Sequence, residues 1–87
     1  MLLGDIIARF RDEAVVSEAL LLLDDFALTA QVVGRAADSN VSAGELAVES
    51  VGRFVNGATD EEWLTLIGQM SRSDNPGGVF LRRVLSA

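Results

Sequence analysis

Apolar residues recur along almost the whole chain at three- and four-residue steps, which is the spacing of one face of an α-helix. The first stripe consists of Leu3, Ile6, Ile7 and Phe10. No segment alternates between apolar and polar residues over a useful length, so the pattern predicts no β-strand. We therefore expect an all-α fold, a compact bundle of five or six short helices within a single domain, 1–87. The approximate bounds are 2–11, 13–23, 25–38, 43–56, 60–72 and 76–86.

The second predicted helix is apolar on every side. From Ala14 to Leu23 only Ser17 and Glu18 are polar, and Leu20 to Leu23 take four successive 100° steps around the axis. A helix that is apolar all round is normally buried all round, so we expect this helix at the centre of the bundle.

Asp24 and Asp25 interrupt the apolar run. Either they are exposed on one long helix that reaches about Ala37, or one of them caps a new helix starting at Phe26. A helix from residue 13 to 37 would be roughly 37 Å long, which is long for a domain of this size, so a break is favoured. The predicted inward stripe of the third helix consists of Phe26, Ala30, Val33 and Ala37.

Local capping signals divide the C-terminal half of the chain. Two segments have the capping-box pattern, Ser42 with Glu45 and Thr59 with Glu62, in which each partner binds the other's backbone amide. Asn75 before Pro76 is typical of a helix cap followed by proline at the first helical position. Asn56-Gly57 predicts a left-handed helix stop. The last three helices each have a predicted inner face. For the helix 43–56 it contains Ala47, Val48, Val51, Phe54 and Val55. For 60–72 it contains Trp63, Leu66, Ile67 and Met70, and for 76–86 it contains Val79, Phe80, Leu81, Val84 and Leu85.

Composition removes most of the usual catalytic groups. The 87-residue chain has no His, Cys, Lys or Tyr, so it offers no thiolate, imidazole or amine for catalysis or for a soft metal site. Asp60, Glu61 and Glu62 lack the spacing of a calcium loop and are explained by helix capping and the helix dipole. Gly77-Gly78 lies where a helix can bind an anion but lacks the flanking pattern of a phosphate loop. We therefore predict that the chain is not an enzyme. We also predict that it has no catalytic residues, no metal ligands and no cofactor.

The charge balance bears on partners and location. Thirteen acidic and seven basic residues give a net charge of -6, which opposes binding to phosphate backbones and anionic lipids. No apolar run is long enough to span a bilayer, and the N-terminal segment lacks the positive charge of a signal peptide. We expect no nucleic-acid partner, no membrane association and a cytoplasmic location.

Two other functional classes have partial support. Ala36 to Leu46 partly resembles a helix-turn-helix and, more loosely, ribbon-helix-helix regulators, which implies DNA binding. Asn40 and Glu49 depart from the helix-turn-helix pattern, and DNA binding would require Arg9, Arg11, Arg35 and Arg53 on one face.

Ala37-Asp38-Ser39 superficially resembles the attachment region of acyl carrier proteins, which implies a phosphopantetheine arm on Ser39. Asn40 stands where that motif has an apolar residue.

The C-terminal third also looks like small uncharacterised bacterial proteins. The resemblance covers Asp60-Glu61-Glu62-Trp63, Gly68, Met70, Asn75-Pro76-Gly77 and Leu81-Arg82-Arg83. It implies no activity.

The preferred functional interpretation is a non-enzymatic protein-interaction module that associates with itself, as a dimer, or with another protein. Few short helices are available to cover a leucine segment that is apolar on every side, and a symmetric dimer would cover it. Leu20, Leu21 and Leu23 are the predicted interface residues.

Overall fold

The computed structural model describes residues 3–86, which form six α-helices. They are α1 (Leu3–Arg9), α2 (Glu13–Leu22), α3 (Phe26–Asp38), α4 (Ala43–Gly57), α5 (Asp60–Ser71) and α6 (Pro76–Leu85). No strand occurs in this part of the chain. The predicted all-α fold is confirmed, and every described helix end lies within two residues of its predicted position; the predicted start at Leu2 lies outside the described residues.

Polar caps fix where the last five helices begin. In each case a side-chain oxygen accepts a hydrogen bond from a backbone amide in the first turn. The capping residues are Asp12, Asp25, Ser42, Thr59 and Asn75. Four of these five starts coincide with the predicted position to the residue, and α3 begins one residue later.

Only one of the two predicted capping boxes is complete. The Thr59 hydroxyl accepts from the Glu62 amide at 3.1 Å, and the Glu62 carboxylate accepts from the Thr59 amide at 3.2 Å. Ser42 accepts from the Glu45 amide, but among the described residues no bond runs back from the Ser42 amide to the Glu45 carboxylate. The Ser42 hydroxyl instead donates to Glu13 Oε1 at 3.2 Å, which ties the start of α4 to α2. Glu45 is exposed, so water can solvate its carboxylate, and a return bond would gain little stability.

The chain breaks between α2 and α3, as the Asp24-Asp25 pair predicts. Asp24 has a φ of 55°, in the left-handed region, and the Asp25 side chain accepts from the Leu28 amide at 3.0 Å. The left-handed residue ends α2, and the cap starts α3 on a new axis.

A second left-handed residue, Asn40, ends α3. Its amide donates to the Ala37 carbonyl, and the next amide, that of Val41, donates to the Ala36 carbonyl at 3.0 Å. This pair of bonds is a Schellman motif.

The left-handed stop predicted at Asn56-Gly57 is wrong. Both residues remain in α4, and no described glycine has a positive φ. The chain leaves α4 through Ala58 in an extended conformation and enters the Thr59 cap directly, so the connection requires no left-handed residue.

The helix at the centre of the bundle is α6. It contacts α2, α3, α4 and α5, and Phe80, Leu81 and Leu85 have at most 1% of their surface exposed. The prediction that α2 is central and buried on every side is wrong. Only Val16 and Leu20 of α2 are buried, because α4 and α6 cover one side of that helix and the opposite side faces solvent.

Aromatic packing joins α4, α5 and α6 to Phe10, the residue that follows α1. The rings of Phe10, Phe54 and Trp63 lie within 6.5 Å of the Phe80 ring, centroid to centroid. Four of the five aromatic side chains therefore belong to one cluster. The fifth, Phe26, lies outside it.

Candidate functional site

The largest departure from core burial lies at the start of α3. Phe26 is 81% exposed, and Leu21 and Leu22, just before the α2–α3 turn, are 72% and 74% exposed. Most proteins bury their aromatic side chains in a core or an interface. The exposed phenylalanine and the two exposed leucines therefore mark this region as the first candidate for a functional surface.

The apolar surface continues along α3. Ala30, Val33 and Ala37 follow Phe26 at steps of four, three and four residues, and all three are exposed. We call the four residues Phe26, Ala30, Val33 and Ala37 the α3 stripe. It extends over about three turns, or roughly 16 Å along the axis.

The prediction that this stripe faces inward is wrong. The buried residues of α3 are Leu28, Val32 and Ala36, on the opposite side of the helix. Because α3 is apolar on two sides, its periodicity cannot determine which side packs on the core. The larger buried pair, Leu28 and Val32, occupies the side that contacts α4 and α6.

The three predicted interface leucines differ in position. Leu20 is only 4% exposed and belongs to the core of its own chain, so its assignment to an interface is corrected. Leu23 is half-buried against that core. Leu21 is exposed, so its predicted role in an interface stays a prediction, and the sequence reasoning missed Leu22 as an exposed residue. Leu22 lies 200° around the helix axis from buried Leu20, so the helical spacing alone indicates that Leu22 is on the side away from the core.

The α3 stripe is free of acidic residues. From Phe26 to Ala37 the only charged residue is Arg35. The flanking Asp25 and Asp38 lie one residue beyond either end of the stripe, about 100° around the axis from it. Asp25 also faces Arg82, with 3.6 Å between Oδ2 and Nε. In a chain of net charge -6, this face can approach another acidic surface with little repulsion.

A smaller apolar patch lies on α5. Leu64 is 71% and Ile67 is 45% exposed, so the prediction of Ile67 as an inward residue is wrong. Leu66 and Met70 form the buried side of this helix, and Trp63 is half-buried. The patch contains only two large side chains, which leaves α3 as the stronger candidate surface.

Two of the open cavities in the surface bear on the predicted site residues. One, of about 610 Å³, lies between α1, α2 and the start of α6, with Phe10, Leu22 and Gly77 among its lining residues. The other, of about 350 Å³, is lined by Arg35, Arg53 and Phe54, among others.

Three of the four arginines named for DNA binding line one or other of these cavities, and Arg11 lines neither. Arg9 lines the larger cavity, whereas Arg35 and Arg53 line the smaller one, and the two cavities share no lining residue. This arrangement does not gather the arginines beside the α3–α4 turn as a helix-turn-helix would require. Ser39, the residue named for a carrier role, is the exposed C-cap of α3.

Comparison with known proteins adds no relative. No family model matches the chain, and searches of curated proteins and of solved structures find no match. Within residues 3–86, no helix is long and apolar enough to cross a membrane, and no three acidic residues are grouped so that they could hold a metal ion.

Proposed function

We propose that this chain is a non-enzymatic protein-interaction module that self-associates, two copies pairing through their α3 stripes. The observation that carries the proposal is the exposure of an unbroken apolar stripe on a well-capped helix, with Phe26 at one end. A bundle that buries every other aromatic side chain at least in part leaves this one in solvent.

The sizes of the stripe residues favour antiparallel pairing of two copies. About a two-fold axis at the middle of the stripe, Phe26 of one copy lies opposite Ala37 of the other, and Ala30 lies opposite Val33. Each contact then joins a large side chain to a small one, which is how helices interlock. Parallel pairing would place Phe26 on Phe26 and leave the alanines facing a gap. The same surface serves both copies, as a two-fold dimer requires.

The exposed area predicts a dimer of low affinity. Phe26 is 81% and Val33 is 51% exposed, and with Ala30 and Ala37 the α3 stripe presents on the order of 300 Å² per copy. Burying that area on both copies reaches about 600 Å², below the usual range for specific interfaces. We expect a dissociation constant on the order of 100 μM.

Sedimentation velocity over a concentration series from about 1 to 500 μM tests the proposal. The wild-type mass should rise from that of one 9.3 kDa chain towards twice that value. Phe26→Glu places a charge in the stripe of both copies and should keep the chain monomeric over the whole series.

Leu64→Glu is the matched control, because Leu64 is similarly exposed but lies on α5. It should dimerise as the wild type does. A wild type that stays monomeric at every concentration would refute self-association, and equal loss of dimer in both variants would remove α3 as the contact surface. Circular dichroism verifies that both variants keep their helices.

A further inference from the structure

The smaller cavity has two arginines and one acidic residue in its lining. It lies between the C-terminal halves of α3 and α4 and the Gly57–Ala58 turn, with α6 beneath it. We call it the arginine groove; Arg35, Ser50, Arg53, Phe54, Glu62 and Val84 are among its lining residues.

The charge in the groove is not balanced by the protein. Glu62 is the one acidic lining residue, and Arg83 Nη2 donates to its carboxylate at 3.1 Å. Neither Arg35 nor Arg53 forms an ion pair with any carboxylate of residues 3–86. Two guanidinium groups thus face one groove in a chain of net charge -6. A bound anion would accept charge-assisted hydrogen bonds from both groups.

A buried hydroxyl holds one of these arginines. Ser50 is 6% exposed and is the one buried polar side chain among the described residues. Its Oγ donates to the Leu46 carbonyl at 2.8 Å and accepts from Arg53 Nη2 at 3.4 Å. The remaining donors of Arg53 are left for a ligand. Arg35 lies in the last turn of α3, where the helix dipole favours a cation, whereas Arg53 lies four residues before the end of α4, outside its last turn.

The floor of the groove is apolar. Phe54 and Val84 are buried side chains, and Ala58 adds a methyl group at the rim. Guanidinium groups bind carboxylates through paired hydrogen bonds, and an apolar floor accommodates a hydrocarbon group. The volume of about 350 Å³ lies at the small end of ligand pockets. We propose that the arginine groove binds a small organic carboxylate with a short hydrocarbon body, independently of dimer formation.

The probe for this proposal is hexanoate, with hexanamide as its uncharged analogue. Backbone amide NMR spectra recorded during a titration should show saturable shifts at residues 53–58 and near Arg35. Trp63, the single tryptophan, packs against Phe54 with 5.1 Å between ring centroids, so its fluorescence provides a second signal. We expect a millimolar dissociation constant for hexanoate and at least about tenfold weaker binding of hexanamide.

Arg35→Gln and Arg53→Gln should each weaken hexanoate binding about tenfold or more, because each removes a charge-assisted contact. Arg72→Gln removes the same charge from the exposed C-cap of α5, outside the groove, and should bind hexanoate as the wild type does. Equal weakening by all three variants would show that binding depends only on the net charge of the protein, and would refute the proposed site. Equal binding of hexanamide, the absence of saturable shifts, or tighter binding of inorganic phosphate than of hexanoate would also overturn it.

Discussion

The packing of α2 against α4 depends on a glycine, and replacing it gives a sharp stability prediction. Gly44 is buried in the first turn of α4. A Cβ atom built there would lie 2.6 Å from Ser17 Oγ and 3.2 Å from the Glu13 carbonyl oxygen. The serine can rotate away, but the carbonyl belongs to the α2 backbone. Gly44→Ala therefore forces the two helices slightly apart.

Two opposing effects set the magnitude. Replacing glycine by alanine within a helix gains roughly 0.5–1 kcal/mol, and less in the first turn. Forcing an extra methyl group into a well-packed contact costs about 1–3 kcal/mol. We expect Gly44→Ala to lower the free energy of unfolding by about 1–2 kcal/mol. Gly52→Ala is the matched control in the same helix, since nothing lies within 4 Å of its Cβ position, and it should raise stability by about 0.5–1 kcal/mol.

Urea unfolding followed by circular dichroism measures both changes, provided that the slope with urea stays constant. Ser17→Ala in the Gly44→Ala background should recover part of the lost free energy of unfolding, because it removes the atom closest to the new methyl group. The double-mutant cycle isolates the contribution of that contact. If Gly44→Ala proves as stable as Gly52→Ala, the close approach of α2 and α4 is refuted.

Two further substitutions test local structure by the same assay. Thr59→Ala removes half of the complete capping box with Glu62 and should lower the free energy of unfolding by about 1 kcal/mol. Thr65→Ala, on the exposed side of α5, is the control and should not lower it. Equal effects of the two substitutions would contradict the capping role of Thr59. Asp24 holds a left-handed conformation, so Asp24→Gly should be more stable than Asp24→Ala by about 1 kcal/mol, and the reverse order would contradict the α2–α3 turn.

The helices and their starts could be predicted from the sequence because the signals are local. A cap such as Thr59 acts on amides within three residues, and Pro76 fits only the first turn of a helix. The break at Asp24-Asp25 was likewise predictable, since two acidic residues interrupt an apolar run. Tertiary context had little influence on these positions.

The rotation of each helix could not be predicted in the same way. Helix α3 carries apolar residues on two sides, and the choice of Leu28 over Phe26 for the core depends on how α4 and α6 pack against it, which the pattern within α3 does not contain. The all-round apolar α2 posed the same problem: its pattern did not indicate that Val16 and Leu20 would be buried while Leu21 and Leu22 stay exposed.

The candidate surface was therefore predicted only in part. Leu21 and the idea of an uncovered apolar helix came from the sequence, whereas the α3 stripe emerged from the structure. The sequence prediction assigned Phe26 to the core and therefore missed the observation on which the proposed interface depends. The arginine groove was equally inaccessible, because Arg35 and Arg53 lie on different helices and only the packing of α3 on α4 brings them to one groove.

Cysteine cross-linking tests the antiparallel α3 dimer most directly, because the native chain contains no cysteine. The variants are Phe26→Cys and Ala37→Cys, oxidised separately and as an equal mixture. In the antiparallel dimer identical positions lie about 16 Å apart along the axis, beyond the reach of a disulfide, while residue 26 lies opposite residue 37. The account predicts cross-linked dimer in the mixture and almost none in either variant alone. Cross-linking of each variant with itself, or none in the mixture, would contradict it.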